Sequence, residues 1–201
     1  MDELDILKKD WKRQDESLPK FNQRELYAML KKKSSSLVKW IFIISILEFS
    51  FWIGLEIFSS LQGYNELISE ANLDMLYYVI MLINYGVILG FIIVFFYNYQ
   101  KIKITDNAKL LMKKILVTRK TVKCYVWFNI IYFAITFMIV TYFVFIKTDE
   151  IPDENIWIFM GVMFGVMLIF VGIIWLFYRF LYGILTRKLY KNYKELKHLD
   201  L

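Results

Sequence analysis

Four apolar runs, each long enough to cross a bilayer, alternate along this chain with hydrophilic segments whose charge changes sign from one to the next. Three of the runs hold no Asp, Glu, Lys or Arg at all: Met75 to Gln100 (26 residues), Cys124 to Ile146 (23) and Asn155 to Tyr178 (24). A transmembrane helix needs about 20 residues to cross a hydrocarbon core of about 30 Å, so each suffices. The fourth run, Trp40 to Leu61, has the same character but carries Glu48 and Glu56. With 58% of 201 residues hydrophobic, a water-soluble fold would have more apolar surface than a domain of this size can hide. The pattern predicts an all-α integral membrane four-helix bundle, with spans at about 40–61, 75–99, 124–146 and 156–178.

Orientation follows from the charges. Ten Lys/Arg lie in residues 1–39, eight between the second and third spans, and six after Tyr178, so 24 of the 25 cations fall on one side and only Lys147 on the other. That other side receives two acidic turns, one with Glu66, Glu70 and Asp74, the next with Asp149, Glu150, Asp153 and Glu154. The positive-inside bias then predicts that both termini are cytoplasmic. The net charge of +6 and pI near 9.2 read as topology and as attraction to membrane lipids with anionic headgroups. Nucleic acid is not expected as a partner, because no nucleic-acid-binding motif accompanies the charge. The first apolar run begins only at Leu37, after a charged stretch, so no cleavable leader is expected and the first span is expected to target the chain.

Three units are expected: a cytoplasmic amphipathic segment at 1–36, the bundle at 37–185 with a basic cytoplasmic loop at 101–123, and a basic cytoplasmic tail at 186–201. In the first, Leu4, Leu7 and Trp11 fall at helical spacing before Ser17, Leu18 and Pro19 interrupt. A second helix starts at Asn22, where Glu25 three residues on completes a capping box and Leu26 and Met29 share a face. It either runs through Ser34, Ser35 and Ser36 into the first span or hinges there. In the loop, Asp106 or Asn107 caps a helix whose Ala108, Leu111 and Ile115 share a face, expected to lie along the inner leaflet. Tyr182, Leu185, Leu189, Tyr193 and Leu196 extend the last span as an amphipathic tail.

The most informative polar group is Glu48. It lies eight residues past Trp40, about 12 Å into the core at 1.5 Å per residue. An ionisable group there costs about 2.5 to 3.5 kcal/mol on insertion scales, so it needs a partner. Ser45, Glu48, Trp52, Glu56 and Ser59 make one polar stripe on the first helix. Aligning Trp127 with Trp40 puts Thr136 level with residue 49 and so brings Tyr132 or Thr136 within reach of Glu48, and counting from the inner ends brings Asn84 level with Glu56. Two readings follow: hydrogen-bonded glue between helices, or a proton or cation site on a transport path. Gly86 and Gly90, and Gly161 and Gly165 with Gly172 on the same face, are expected at helix packing faces, within the bundle or in a homo-oligomer.

No catalytic constellation is legible. The one histidine is His198, and no His, Cys or carboxylate set has metal-ligand spacing, so neither a cofactor nor a metal is expected and an enzyme is the least favoured class.

The stretches DELDILKKDWKRQDESLPKF, RELYAMLKKKSSSLVKWIFIISILEFSFW and TRKTVKCYVWFNIIYF resemble a family of small, uncharacterised four-span inner-membrane proteins of Bacteroidota-type bacteria. The resemblance covers the whole chain and implies a bacterial inner-membrane location, without implying an activity. The expectation drawn is a non-enzymatic membrane adaptor or regulator, in which Leu4, Leu7, Trp11, Leu26 and Met29 dock a cytoplasmic protein. The alternative is a small proton- or cation-coupled transporter or channel subunit that uses Glu48.

Overall fold

Helix formation here is driven by backbone satisfaction as much as by propensity. Valine, isoleucine and phenylalanine crowd the apolar runs, yet a segment without water must hydrogen-bond to itself, and the helix does this within one segment. The computed structural model describes residues 22–63, 66, 68–69, 73–147 and 156–198. Its four long helices are α1 (Gln23–Leu61), α2 (Asp74–Ile104), α3 (Ala108–Lys147) and α4 (Ile156–Lys197). All four are long and apolar enough to cross a membrane. Leu4, Leu7 and Trp11 lie outside the described residues, as do Glu70, Asp149, Glu150, Asp153 and Glu154.

The helix ends follow local chemistry. The Asn22 N–H donates to Glu25 Oε2 at 3.1 Å, which is the Glu25 half of the expected capping box. Asn107, rather than Asp106, caps α3, its Oδ1 accepting from the Leu110 N–H at 3.1 Å. At the end of α1, Gly63 takes φ +83°, a left-handed conformation that a Cβ disfavours, and its N–H closes on the Ser60 carbonyl.

Consecutive helices pack together and α1 closes against α4, while the diagonal between α1 and α3 is sparsely occupied. The chain therefore makes a four-membered ring of antiparallel neighbours. The buried positions are Leu30, Ser34, Val38, Ile41 and Ser45 on α1, and Leu111, Ile115, Thr118, Val122 and Tyr125 on α3. They recur at spacings of three and four, the seam spacing of a coiled coil. On α2 and α4 the same seam is carried by Ile88, Phe95 and Ile102, and by Tyr178, Tyr182, Leu189 and Leu196.

This core is lopsided. It occupies the half of the bundle where the cations gather, and past Ser45, Ile130 and Tyr178 toward the opposite end only Thr141 and Met167 are buried among the described residues of α1, α3 and α4. At 1.5 Å per residue the 42 residues of α4 extend about 63 Å, roughly twice a hydrocarbon core. Because α1 ends, α2 starts and α4 starts at the acidic end within their apolar runs, the excess length projects at the basic end.

One expectation changes and one alternative is decided. Residues 108–123 do not form a separate surface helix: they are the first turns of α3, held upright because Leu111 and Ile115 are fully buried in the ring. The serine run at 34–36 does not hinge, since Ser34 is itself a buried seam residue. The glycines are not used for packing within the chain. A Cβ built on Gly86, Gly90, Gly161, Gly165 or Gly172 meets nothing within 4 Å, so none of them lies at a close helix contact within this chain. GxxxG recurs readily in apolar helices, and here both pairs face outward.

Candidate functional site

Glu48 is held from α4. The Tyr178 and Tyr182 hydroxyls donate to its two carboxylate oxygens, Tyr178 to Oε1 and Tyr182 to Oε2, the latter at 3.0 Å. Positions 178 and 182 are one helical turn apart, so both phenols reach the same carboxylate from one face. Tyr125 of α3 completes the cluster, its ring 6.2 Å from that of Tyr178 and 5.7 Å from that of Tyr182. Its enclosed hydroxyl lies beside Glu48 without hydrogen-bond geometry. Phe91 and Phe95 of α2 cover Tyr125 from behind, with ring centroids at 5.4 and 5.6 Å. All four helices thus contribute to enclosing one carboxylate.

Above this cluster, toward the acidic end, lies a cavity of about 210 Å³ bordered by Trp52, Asn84, Asn129, Tyr132, Thr136 and Tyr178. Asn129 Nδ2 donates back to the Tyr125 carbonyl at 2.8 Å, and the Tyr132 hydroxyl donates to the Ile80 carbonyl of α2. Asn84 Oδ1 is enclosed without a hydrogen-bond partner. Glu48 does not border the cavity itself; Tyr178 and Trp52 stand between.

The structure therefore brings three expected residues, Asn84, Tyr132 and Thr136, around one cavity and puts Glu48 one side chain away. It does not make the expected pairs. Tyr132 bonds Ile80 and not Glu48, and it is Tyr125, about two turns earlier on α3 than Tyr132 and three earlier than Thr136, that stands at the carboxylate. The indoles misled the alignment, because Trp40 and Trp127 both face outward and helix register is set by buried residues. Asn84 is not the partner of Glu56: the next residue, Tyr85, is its neighbour, and one position on a helix turns a side chain by about 100°. Ser45 is satisfied locally, donating to the Phe42 carbonyl at 2.8 Å.

The sequence patterns place Tyr182 on the face that continues the last span and mark neither it nor Tyr178 as a partner of Glu48. Their signal was present as two phenols one turn apart in an apolar run, each of which needs an acceptor when buried.

At the basic end a second polar set ties the α2–α3 turn to α1. The Tyr27 hydroxyl donates to the Thr105 carbonyl at 3.1 Å, and Lys31 Nζ pairs with Asp106 at 2.6 Å. Burial holds the Tyr27 phenol above its usual pKa range. Of the expected docking residues, Leu26 is partly buried against the core and Met29 is 51% exposed. Among the described residues no three His, Cys, Asp or Glu side chains converge as a metal site would require.

This fold and site define a class: an all-helical chain of four helices, each long and apolar enough to cross a membrane, closed around a partly buried carboxylate and three tyrosines. Residues 24–201 match the family described as a domain of unknown function (DUF8845), and the chain belongs to that family. Comparison with curated proteins and with solved structures found no match.

Proposed function

We propose that this protein is a non-enzymatic adaptor or regulator of a bacterial inner membrane, crossing it four times with both termini in the cytoplasm. The observation that carries the reading is the position of the core. Leu30, Leu111, Ile115, Leu189 and Leu196 are buried beyond the apolar runs, on the side that holds 24 of the 25 cations. An anchor alone has no need of a packed bundle outside the bilayer. A platform for another protein does, since docking is strongest on rigid elements. Exposed Lys109, Lys113, Lys120, Lys191 and Lys194 give that platform a basic exterior, complementary to a partner with an acidic face. Leu26 and Met29, near the start of α1, supply its apolar edge.

Photo-crosslinking tests this directly, with a photoreactive residue placed at Lys113 in the full chain at native expression. A discrete cytoplasmic adduct, lost when the neighbouring Lys109 and Lys120 are reversed to glutamate, is the expected result. Adducts to lipid or to the chain itself alone would remove the reading.

A second reading is favoured by the cavity beside Glu48: a small proton- or cation-coupled transporter in which Tyr178 links the carboxylate to that space. Reconstituted vesicles decide it. Coupled uptake that Glu48→Gln abolishes would support transport, and absence of any flux in the parent protein would end it.

A further inference from the structure

Between α1 and α4 a groove of about 950 Å³ runs along the outside of the bundle. Its two ends differ in chemistry. Toward the spans it is walled by Leu37, Trp40, Ile44, Phe180, Ile184 and Leu185, with Trp40 and Phe180 54% and 70% exposed. Toward the basic end it is bordered by Lys33, Ser36 and Lys188.

The depth of these groups follows from helix register. Ser34 faces Asn192 and Glu48 faces Tyr178, so α1 and α4 run antiparallel with Lys188 level with Val38, two residues from Trp40. Lys33 stands about 8 Å further out at 1.5 Å per residue. An interfacial indole and two ammonium groups within about 10 Å along the helices match the depth of a phospholipid phosphate. Neither lysine has an ion-pair partner among the described residues. Glu195 also borders the groove, about 10 Å beyond Lys188 and, by the same register, about 3 Å beyond Lys33, and it makes no ion pair with either lysine.

We infer that the span end of this groove is a binding site for one anionic phospholipid of the basic-side leaflet, its acyl chains along Trp40, Ile44, Phe180 and Ile184 and its phosphate between Lys33 and Lys188. Charge selects the occupant: a zwitterionic lipid fills the apolar trough equally well but brings its own ammonium group to the two lysines. Each lysine near an anionic surface favours binding by several-fold, so together they give a preference on the order of tenfold. Leu26 and Met29 lie more than ten residues from Trp40, too far toward the basic end for the same lipid, and stay free for a protein. The inference therefore stands apart from the adaptor reading.

Trp40 is the reporter. The full chain is placed in vesicles containing a small mole fraction of dibrominated phosphatidylglycerol or, separately, dibrominated phosphatidylcholine, and the Trp40 contribution is the difference between the parent and Trp40→Phe. Stronger quenching by the anionic lipid is expected, with the preference lost in Lys33→Gln/Lys188→Gln and kept in Lys109→Gln/Lys113→Gln. Equal quenching by both lipids would overturn the site. So would loss of preference in both lysine pairs, which is the signature of general surface potential. Soluble glycerol phosphate is added as competitor. Displacement of the brominated lipid by it would mean a free-phosphate site and overturn the lipid assignment, whereas no effect supports it.

Discussion

Asn192 Nδ2 donates to Ser34 Oγ at 3.0 Å with both residues buried, and this contact is in register with the one between Glu48 and Tyr178. Glu48 lies fourteen residues beyond Ser34 on α1, and Tyr178 fourteen residues before Asn192 on α4. Between the two contacts, about 21 Å apart along the helices, the seam is filled by Val38, Ile41, Tyr182 and Leu189. Apolar seams of this kind slide at little cost, because one leucine layer resembles the next. A buried polar pair does not slide, since displacement by a turn leaves both groups unpaired. Two such pairs, one in the projecting half and one in the apolar half, pin α1 against α4.

The projecting pair is the simpler to test. Asn192→Ala is expected to destabilise the folded chain by about 1 to 3 kcal/mol in an unfolding titration, because Ser34 loses its donor inside a dry seam. In a double-mutant cycle with Ser34→Ala the coupling is expected near 1 kcal/mol. Additive effects would mean that the contact does not hold the helices.

For the apolar-half pair, Tyr178→Phe is expected to cost about 0.6 to 1.7 kcal/mol, the range measured for hydrogen bonds between helices in a bilayer. Tyr132→Phe reports the contrast: it removes a bond to the Ile80 carbonyl and leaves Glu48 untouched. In a cycle with Glu48→Gln, the Tyr178 substitution is expected to couple and the Tyr132 substitution to be additive. Coupling of Glu48 to Tyr132 in place of Tyr178 would reassign the site.

What could be read from the residues and what could not divides along a physical line. The four helices were legible because apolar runs of more than twenty residues, three of them uncharged, have few other solutions, and the starts at Asn22 and at Asp106 or Asn107 were legible because capping is local. The importance of Glu48 was legible too, since an acid in an apolar run demands a partner. Which partner was not. Depth was estimated from Trp40 and Trp127, side chains that face away from the bundle, whereas the register is set by Tyr125, Tyr178 and Tyr182 inside it. The glycines illustrate the same gap: GxxxG shows where a close approach is allowed, and Gly86 and Gly161 show that permission need not be used within one chain.

The Tyr27 contact carries a pH dependence. Burial raises the folded-state pKa of this phenol above its unfolded value of about 10, with Asp106 adding to the rise and Lys31 opposing it. A group whose folded pKa is raised contributes stability that is complete below the unfolded pKa and is lost as pH climbs from there through the folded pKa. The melting temperature of the parent is therefore expected to fall more steeply above about pH 10 than that of Tyr27→Phe. Parallel curves for the two proteins would show that the phenol is not held at the Thr105 carbonyl.

Orientation has its own measurement. In a Cys124→Ser background, Glu66→Cys probes the acidic turn and Lys113→Cys the basic end, and both positions are exposed. With a membrane-impermeant maleimide on intact cells, Glu66→Cys is expected to label and Lys113→Cys to label only after permeabilisation. The reverse pattern would invert the topology and move the basic platform away from the cytoplasm.

The outward glycines give the last test. Because nothing lies within 4 Å of a Cβ at Gly86, Gly90, Gly161 or Gly165, alanine at any of them meets no steric barrier within the chain. Alanine also removes the backbone freedom that makes glycine a poor helix residue, a difference of about 0.8 to 1 kcal/mol per site in water. Each single Gly→Ala variant is therefore expected to unfold at the parent midpoint or above it. A loss of more than about 1 kcal/mol, beyond anything helix propensity explains, would mean that the glycine holds a neighbouring helix at close range. If that loss grew with protein concentration in the bilayer, the neighbour would be a second copy of the chain, because mass action makes an oligomer's stability depend on protomer density.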